Sequence, residues 1–501
     1  MASFLTQIPT FRRGLRSIGR ALWSLRRVAL AGAGLFTAIV LLHNAVASHR
    51  WAEYRKEAAA RGLALDLPKA QPRIPDSENF AAPGGPFAGH PPGTWLNDFS
   101  HMPVTLPDYA AGERMTTEKA YAKTAMGHYD AQEFLALCDR SFGKEWPAIL
   151  EAELRPKTQR PLVSSPLKRE QQLLPLTARK AAQIHGMRAM AYLDLGQHEQ
   201  ALNEVKGGLR IVRAYFADPD IDLVSYMIAN AILALDISPV WEGMVDRKWT
   251  DTELLTLRDE LAAIEPAKIW PEMIDSERRW ENAALDELTA APLSVRSDMV
   301  AQIFGKPENR FGKAFMSMSG ILCTTGLIRD NQLASNSWWD SGTEMITPDG
   351  RWHPGATSFD YSLSHLSAVD RIRYRFAYIA APSLARAACR AAVVEACLNH
   401  ASLAVAIERY RRQHQDLPEN ISVLVPEFIA AVPLDPMGHP VKYSRESADA
   451  FRLDSMGDHG FPNECKVSDV WSGHPEDQKR NLVVWHGLAP ESNDTVKTAA
   501  R

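Results

Sequence analysis

The chain has 501 residues, of which 23% are charged and 46% hydrophobic, as in ordinary globular proteins, with enough length for two to four domains. Its net charge of -4 and pI near 6.4 argue against nucleic acid as the main partner, because nucleic-acid-binding proteins carry a basic surplus. None of the five cysteines forms a C-x-x-C motif, which argues against a zinc ribbon or a thioredoxin-type site. In an oxidising compartment, Cys323 and Cys465 could pair with each other or with Cys138.

An apolar stretch without charge occupies residues 28–42, and no acidic residue precedes Glu53. Positive charge before an apolar segment keeps that end in the cytoplasm. We therefore predict a basic cytoplasmic segment (1–27) and a transmembrane signal anchor in contact with the lipid bilayer (28–47). The anchor would lie in the inner (cytoplasmic) membrane, and the rest of the chain would be periplasmic. The arginines that set this orientation are Arg12, Arg13, Arg16, Arg20, Arg26 and Arg27.

A cleaved signal peptide is the alternative, because an apolar core of about 15 residues is short for a hydrocarbon layer of about 30 Å. Ala45-Val46-Ala47 has the pattern of a cleavage site. The long basic region favours a retained anchor, since one helical face of it is apolar, as expected for a stretch on an anionic membrane surface. That face comprises Phe11, Leu15, Ile18 and Leu22.

Residues 48–115 are predicted to form a Pro/Gly-rich spacer. Eight prolines and four glycines are interleaved between residues 63 and 106. Proline fixes φ and lacks a backbone donor, so no long helix is expected there. An extended spacer of this kind would hold the following domain away from the membrane.

Residues 116–397 are predicted to form an all-helical body. Apolar residues between 174 and 217 form two helical faces separated by Gly196. Residues 224–235 are apolar almost all round, which predicts a buried central helix. Thr250 followed by Glu253 predicts a capping box at the start of the next helix. Further helices are predicted over 275–288, 311–332, 361–379 and 383–414.

The stretch AYLDLGQHEQALNEVKGGL (residues 191–209) has small residues at a helix crossing, a glycine at the turn and Ala201-Leu202 on the second helix. It resembles one tetratricopeptide unit. The resemblance implies an array of stacked helix pairs, because such units need neighbours to bury their apolar faces.

A specific order of motifs begins near residue 398. A helix is followed by Asp416-Leu417-Pro418, by the turn Asp435-Pro436-Met437-Gly438-His439-Pro440, and by Ser455-Met456-Gly457-Asp458-His459-Gly460. Two β-like runs, 441–444 and 450–454, lie between the turn and the last motif, and 482–486 could supply a third strand. This order resembles the C-terminal half of the type II secretion major pseudopilin. The resemblance implies a small α+β module with a short antiparallel sheet (398–486), followed by a disordered tail (487–501).

The pseudopilin resemblance also implies calcium as a possible cofactor. Asp454, Asp458 and Glu464 are the oxygen donors in the matching neighbourhood, and calcium takes six to eight oxygen ligands. The alternative is an acidic, solvated turn. Because about 400 residues separate the anchor from the module, we do not expect a polymerising pilin subunit.

The whole layout resembles a set of large bacterial envelope proteins that share a basic anchor, an Ile-Pro-Asp-x-x-Asn-Phe-Ala segment (74–81 here), a helical body and this ending. That resemblance implies a place in the cell envelope and no particular activity.

Residues 334–358 are polar and broken by glycines, and we predict a long loop rather than a helix. Tryptophan faces stack on sugar rings, and paired carboxylates cleave glycosides. Three interpretations stay open: tryptophans that fill the helical body, a glycan- or peptide-binding groove, and a catalytic pair. The residues concerned are Trp338, Trp339, Asp340, Glu344 and Trp352.

The sequence thus predicts a mainly α protein with a transmembrane helix, a tetratricopeptide-like body and a small α+β module. No H-E-x-x-H, G-x-S-x-G, Walker or G-x-G-x-x-G motif is present. We expect a membrane-anchored interaction or scaffold protein of the bacterial envelope with a protein partner and no catalytic activity. The alternatives are an envelope protein that binds or cleaves glycan through Trp338-Trp339, and a component associated with a type II secretion-like system.

Overall fold

The computed structural model describes residues 8–68, 72–87, 123–124, 127–160, 165–166, 176–292, 294–296, 298, 323–353, 367, 370, 373–374, 377, 384–455 and 483–486. These residues are mainly helical, with two small antiparallel sheets. The chain divides into a first unit (1–65, 284–335 and 367–380) and a second unit (66–283, 336–366 and 381–501).

The N-terminal helix α1 covers Ile8–Ala60 without a break. Two residues beyond its end lies Gly62, whose φ of 77° is in the left-handed region that glycine adopts most easily. There the Leu63 amide donates to the Ala58 carbonyl at 2.9 Å, a bond typical of a glycine-terminated helix. The helix therefore extends past residue 48, where we predicted the spacer to begin, because the first proline after the apolar stretch is Pro68.

Three helices are long and apolar enough to cross a membrane: Arg26–Ala60, Leu223–Val245 and Ala387–His414. The most apolar part of the first is not buried at all, whereas most of the other two is buried within the protein. An exposed apolar helix near the N-terminus is the feature that the sequence predicts.

The described part of the chain contains the following α-helices and strands, besides a short 3-10 helix over Ile421–Leu424. They are α1, β1 (Lys123–Thr124), β2 (Gly127–His128), α2 (Ala131–Phe142), α3 (Trp146–Glu153), α4 (Leu176–Asp194), α5 (His198–Phe216), α6 (Leu223–Val245), α7 (Asp251–Ala262), α8 (Pro266–Ala290), α9 (Thr325–Thr343), α10 (Leu384–His414), β3 (Lys442–Arg445), β4 (Phe451–Ser455) and β5 (Val483–His486).

Local signals placed several helices correctly. Gly196, at φ 71°, separates α4 from α5. Thr250 and Glu253 form both hydrogen bonds of the capping box that opens α7. Helix α6 is buried, as predicted from its apolar surface. The hairpin of β1 and β2 lies where we predicted helix, in a segment whose Gly127 disfavours helix.

The main core of the second unit is formed by α4, α5, α6 and α10, which pack through aliphatic side chains. Val205, Leu209, Ile232, Leu233 and Leu403 are fully buried in it. Helix pairing of this kind fits a helical array, and it provides the frame for the polar groups described below.

Residues 72–87, which we call the strap, pack onto this core instead of forming the extended spacer that we predicted. Phe80 and Phe87 are fully buried and stack with ring centroids 4.3 Å apart. The Phe80 amide donates to the Lys157 carbonyl at 2.7 Å. The Asn79 side chain donates to the carbonyl of Gln159 and accepts from its amide, each at 2.9 Å. Composition did not predict the strap, because its many prolines indicated a spacer although two of its phenylalanines belong to the core.

The C-terminal strands form an antiparallel sheet in the order β3-β4-β5. Tyr443 pairs with Leu453, which in turn pairs with Trp485. All three strands begin within one residue of the predicted runs. Helix α10 continues unbroken through residue 398, the predicted start of the module, so helical body and sheet share one helix. His400 of α10 lies 2.8 Å from the Ser455 hydroxyl at the end of β4.

The cysteines differ from the predicted pairing. Cys138 and Cys323 are free and buried, as is Cys397. Cys389 is disulfide-bonded. No local motif indicates which cysteines meet, because pairing depends on the distance between residues on different elements.

Candidate functional site

Helix α9 contains three of the residues that we assigned to a polar loop. Trp338, Trp339 and Asp340 lie in its last two turns, and the helix ends at Thr343. The prediction of a loop from residue 334 was wrong because polar residues on a helix surface and a glycine near its end do not interrupt it. Gly342 lies against the side chains of Ile274 and Leu384, where a Cβ would come within 3.0 Å of each.

Trp339 and Trp352 are buried, and each indole N–H donates to a carboxylate. Trp339 Nε1 donates to Glu281, and Trp352 Nε1 donates to Glu395 at 2.8 Å. Burial raises the pKa of Glu395 to about 7, although the Trp352 hydrogen bond opposes the shift. Indole rings buried in this way pack between helices, and their faces are not presented to a sugar ring.

A third buried tryptophan, Trp270 of α8, completes this aromatic cluster. Its ring meets that of Trp352 edge-on at 5.2 Å, and its N–H donates to the Gly342 carbonyl at 2.8 Å. Of the three sequence-level interpretations, this arrangement corresponds to tryptophans that fill the helical body.

Trp352 also lies against the predicted pseudopilin-like turn. A bridge between Ile346 and Trp352 forms a small hairpin. The Trp352 amide donates to the Pro436 carbonyl at 2.8 Å. Gly438, at φ 87°, faces Arg351 so closely that a side chain at this position would clash. The structure therefore brings together two segments that the sequence analysis treated as separate.

The two predicted carboxylates have different surroundings. Asp340 pairs with Arg278 at 2.8 Å, and this arginine is almost completely buried. Glu344 is exposed at the end of α9, and Trp338 is half-buried. Replacing Asp340 would leave a buried guanidinium without its acid, so a loss of function in such a variant would not by itself indicate catalysis.

Only one of the three predicted calcium ligands lies in the described part of the chain. Asp454 of β4 is buried, and its carboxylate accepts from Arg452 Nε at 2.9 Å. Asp458 and Glu464 lie outside the described residues. Within those residues, no three His, Cys, Asp or Glu side chains could hold a metal ion. Calcium binding stays a prediction.

The sequence analysis missed a buried ion network where α3, α4, α5 and α6 meet. His185 Nδ1 is 2.6 Å from Glu204, and His185 Nε2 is 2.7 Å from Glu153. Arg188 Nε donates to the other oxygen of Glu204 at 2.7 Å. Both ring nitrogens face carboxylates, so the imidazole is held as a doubly protonated cation.

Burial alone would lower the pKa of His185, but the carboxylates of Glu153 and Glu204 outweigh it and raise this pKa to about 10. Burial would also raise the pKa of Glu204, yet His185 and Arg188 lower it overall. The two cations thus balance the two carboxylates in a region that is buried from solvent except for a small part of Arg188 and Glu204.

Asp236 of α6 adds a third acid to the same region. Burial raises its pKa well above the ordinary value, against the opposing effect of His185. Neither of its carboxyl oxygens has a hydrogen-bond partner among the described residues. The burial of this carboxyl group without a partner favours its neutral form.

Two adjacent glycines of α5 make room for this network. A Cβ at Gly207 would collide with the His185 ring, and one at Gly208 would collide with the Asp236 carboxyl group. The signal was present in the sequence: Glu204 and Gly208 interrupt the apolar face of α5, and Asp236 interrupts an apolar helix. Because its residues are scattered between 153 and 236, no local motif joins them.

The second unit thus contains two groups of buried side chains that join its helices: the aromatic cluster and the buried ion network. Comparisons with protein-family models, with curated proteins and with solved structures found no match.

Proposed function

We propose that this chain is a membrane-anchored interaction protein of the bacterial cell envelope. One observation carries the proposal: α1 exposes a continuous series of large apolar side chains that nothing in the described part of the first unit covers. Removing such side chains from water contributes about 1.5–3 kcal/mol each, and a lipid bilayer offers that environment. They include Val28, Leu30, Leu35, Phe36, Ile39, Leu41 and Leu42.

Three further features support an anchored chain with a cytoplasmic N-terminus and an extracytoplasmic body. Trp23 is exposed, with the Arg27 guanidinium 3.9 Å from its ring centre, and both residue types are enriched where a helix enters the interface. The 20 residues from Trp23 to Leu42 measure about 30 Å along a helix, the thickness of a hydrocarbon layer. This span begins five residues before the predicted anchor (28–47), and Arg26 and Arg27, near its cytoplasmic end, would extend their charged groups to the headgroups. Disulfides such as that of Cys389 persist in oxidising compartments.

We expect charges within α1 to release the protein from membranes. Leu35→Lys combined with Ile39→Lys places two ammonium groups near the middle of the apolar stretch, where each charge strongly opposes insertion. The wild type should stay in the membrane pellet after alkaline carbonate extraction, and the double variant should appear in the supernatant. Leu154→Lys, at an exposed site in the second unit, is the matched control. A wild type that carbonate extracts would contradict the anchor.

The interaction role rests on the C-terminal module. Val423, Val425 and Leu434 are large apolar residues exposed within one short stretch of it. Exposed apolar side chains of this size are candidates for a protein contact. The helical array and the pseudopilin-like order of motifs support a role in docking to another envelope protein.

A photo-crosslinking amino acid at Val423 tests this role in intact cells. We expect a discrete cross-linked product that a crosslinker at Leu154 does not give. A pseudopilin in that product would favour the type II secretion-like alternative, and another envelope protein would favour the scaffold. No Val423-specific product would contradict docking through this surface. The burial of Trp339 and Trp352 gives the glycan alternative no added support.

A further inference from the structure

Helix α1 is held to the first unit from the point where its exposed apolar stretch ends. The Asn44 side chain accepts from the Gly326 amide at 2.6 Å, in the first turn of α9. Further along, the Arg329 guanidinium lies 5.7 Å from the centre of the Trp51 ring. Leu333 packs against the small core that contains Trp51 and Ala58. The two helices therefore run side by side in the same direction, with the start of α9 level with residues 43–44.

Because of these contacts, the position of α1 in the bilayer also determines how far the start of α9 lies from the membrane. Leu42 then lies at the edge of the hydrocarbon, and His43 and Asn44 lie at the start of the headgroup layer. Arg50 is eight residues beyond Leu42, about 12 Å along the helix axis. Long arginine side chains reach back toward headgroups while their stems stay with the helix.

Three basic side chains meet at this level around one shielded carboxylate. Asp330 Oδ2 is 3.0 Å from His43 Nε2 and 3.0 Å from Arg373 Nε. Arg50 Nη1 is 3.9 Å from Asp330 Oδ1. Asp370 is the other acid close to Arg373 and accepts a hydrogen bond from Ser367.

The four side chains differ in how far they are exposed to solvent. The Asp330 side chain is only 3% exposed, whereas those of His43, Arg373 and Arg50 are 35%, 40% and 61% exposed. The carboxylate is thus placed behind and the two guanidinium groups in front. A surface arranged in this way attracts an anion even where the formal charges are close to balance.

We propose that Arg50 and Arg373 bind the phosphate of an anionic phospholipid headgroup on the outer side of the membrane. This inference rests on the proposed membrane anchor. Guanidinium groups suit phosphate because their N–H donors match its oxygens in pairs. In this position Asp330 orients the two guanidinium groups, and the lipid phosphate supplies the counter-charge that faces them.

The test uses the full-length protein in nanodiscs of phosphatidylcholine mixed with phosphatidylglycerol. Lipid that stays bound after transfer to mild detergent is identified by mass spectrometry. We expect the wild type to retain phosphatidylglycerol in preference to phosphatidylcholine, and Arg50→Gln/Arg373→Gln to lose roughly tenfold of that preference. Lys56→Gln removes an exposed charge from the same helix, paired only locally with Glu53, and should retain it.

Arg50→Gln alone guards against misfolding, since the contacts of His43 and Arg373 with Asp330 remain. It should lose part of the preference with an unchanged circular dichroism spectrum. Equal lipid retention by the wild type, both arginine variants and Lys56→Gln would overturn the proposal. Displacement of the lipid by inorganic phosphate would also overturn it, in favour of a free-phosphate site. Carbonate extraction, run in parallel, reports separately whether the anchor itself has failed.

Discussion

His185→Gln should lower the free energy of unfolding by about 3–5 kcal/mol, the typical cost of removing one partner from a buried ion pair. Glutamine keeps hydrogen-bonding groups near Glu153 and Glu204 but removes the positive charge between them. Arg188, which donates to Glu204, would then be the only cation in the network as described. Urea unfolding of the full-length protein in detergent, followed by circular dichroism, measures the change.

Asp236→Asn is the matched control for this prediction. If Asp236 is already protonated, the amide replaces a neutral group of nearly the same shape, and we expect a change below about 1 kcal/mol. A large loss in Asp236→Asn together with a small loss in His185→Gln would mean that the network carries a different charge distribution from the one derived above.

The same network predicts how stability depends on pH. The folded-state pKa of His185, about 10, lies above its ordinary value of 6.5. Its contribution is therefore complete below pH 6.5 and is lost as the pH rises through about 10. Asp236 acts in the same direction, since its raised pKa makes the folded state bind more protons above pH 3.8. Stability should fall between pH 6.5 and 10, and this fall should be shallower in His185→Gln.

Phe80→Ala should cost about 3–5 kcal/mol, the usual range for truncating a fully buried phenylalanine. The change removes the stacking partner of Phe87 and opens a cavity where the strap meets the core. Hydrogen exchange gives a local readout, because the Phe80 amide is bonded to the Lys157 carbonyl and should exchange faster once the strap loosens.

Leu154→Ala, which truncates an exposed side chain near the same region, should change stability by less than about 0.5 kcal/mol. If Phe80→Ala were equally mild and left exchange at Lys157-bonded amides unchanged, residues 72–87 would be a spacer, as their proline content suggests.

Sequence patterns predicted the parts of the fold that depend on neighbours in the chain. Thr250 and Glu253 lie three residues apart and form the two hydrogen bonds of a capping box, and Gly196 ends a helix by its left-handed backbone conformation. The three strands of the C-terminal sheet lie within one residue of the β-like runs that follow the turn at Asp435 and Gly438. Each of these signals acts over a few residues, so one segment of sequence contains all of it.

The remaining features depend on contacts between distant residues. Trp352 was recognised as unusual, but the sequence could not show that it meets Glu395 and the backbone of Pro436. His185 drew no attention, since a histidine is informative only when its partners are known. The burial of Phe80 was not predicted, because the prolines around it indicate the local backbone conformation but not whether a side chain is buried. The candidate site residues were thus partly identified, while their roles required the fold.

The two adjacent glycines of α5 restrict the substitutions that can accumulate in this protein during evolution. Glycine inside a helix costs roughly 1 kcal/mol relative to alanine, so drift toward alanine at Gly207 or Gly208 would be favoured if the space beside them were free. It is filled by His185 and Asp236. A lineage can therefore gain a side chain at Gly207 only together with a smaller residue at 185, and at Gly208 only together with a smaller residue at 236. Related sequences should keep or lose each glycine in step with its own polar neighbour.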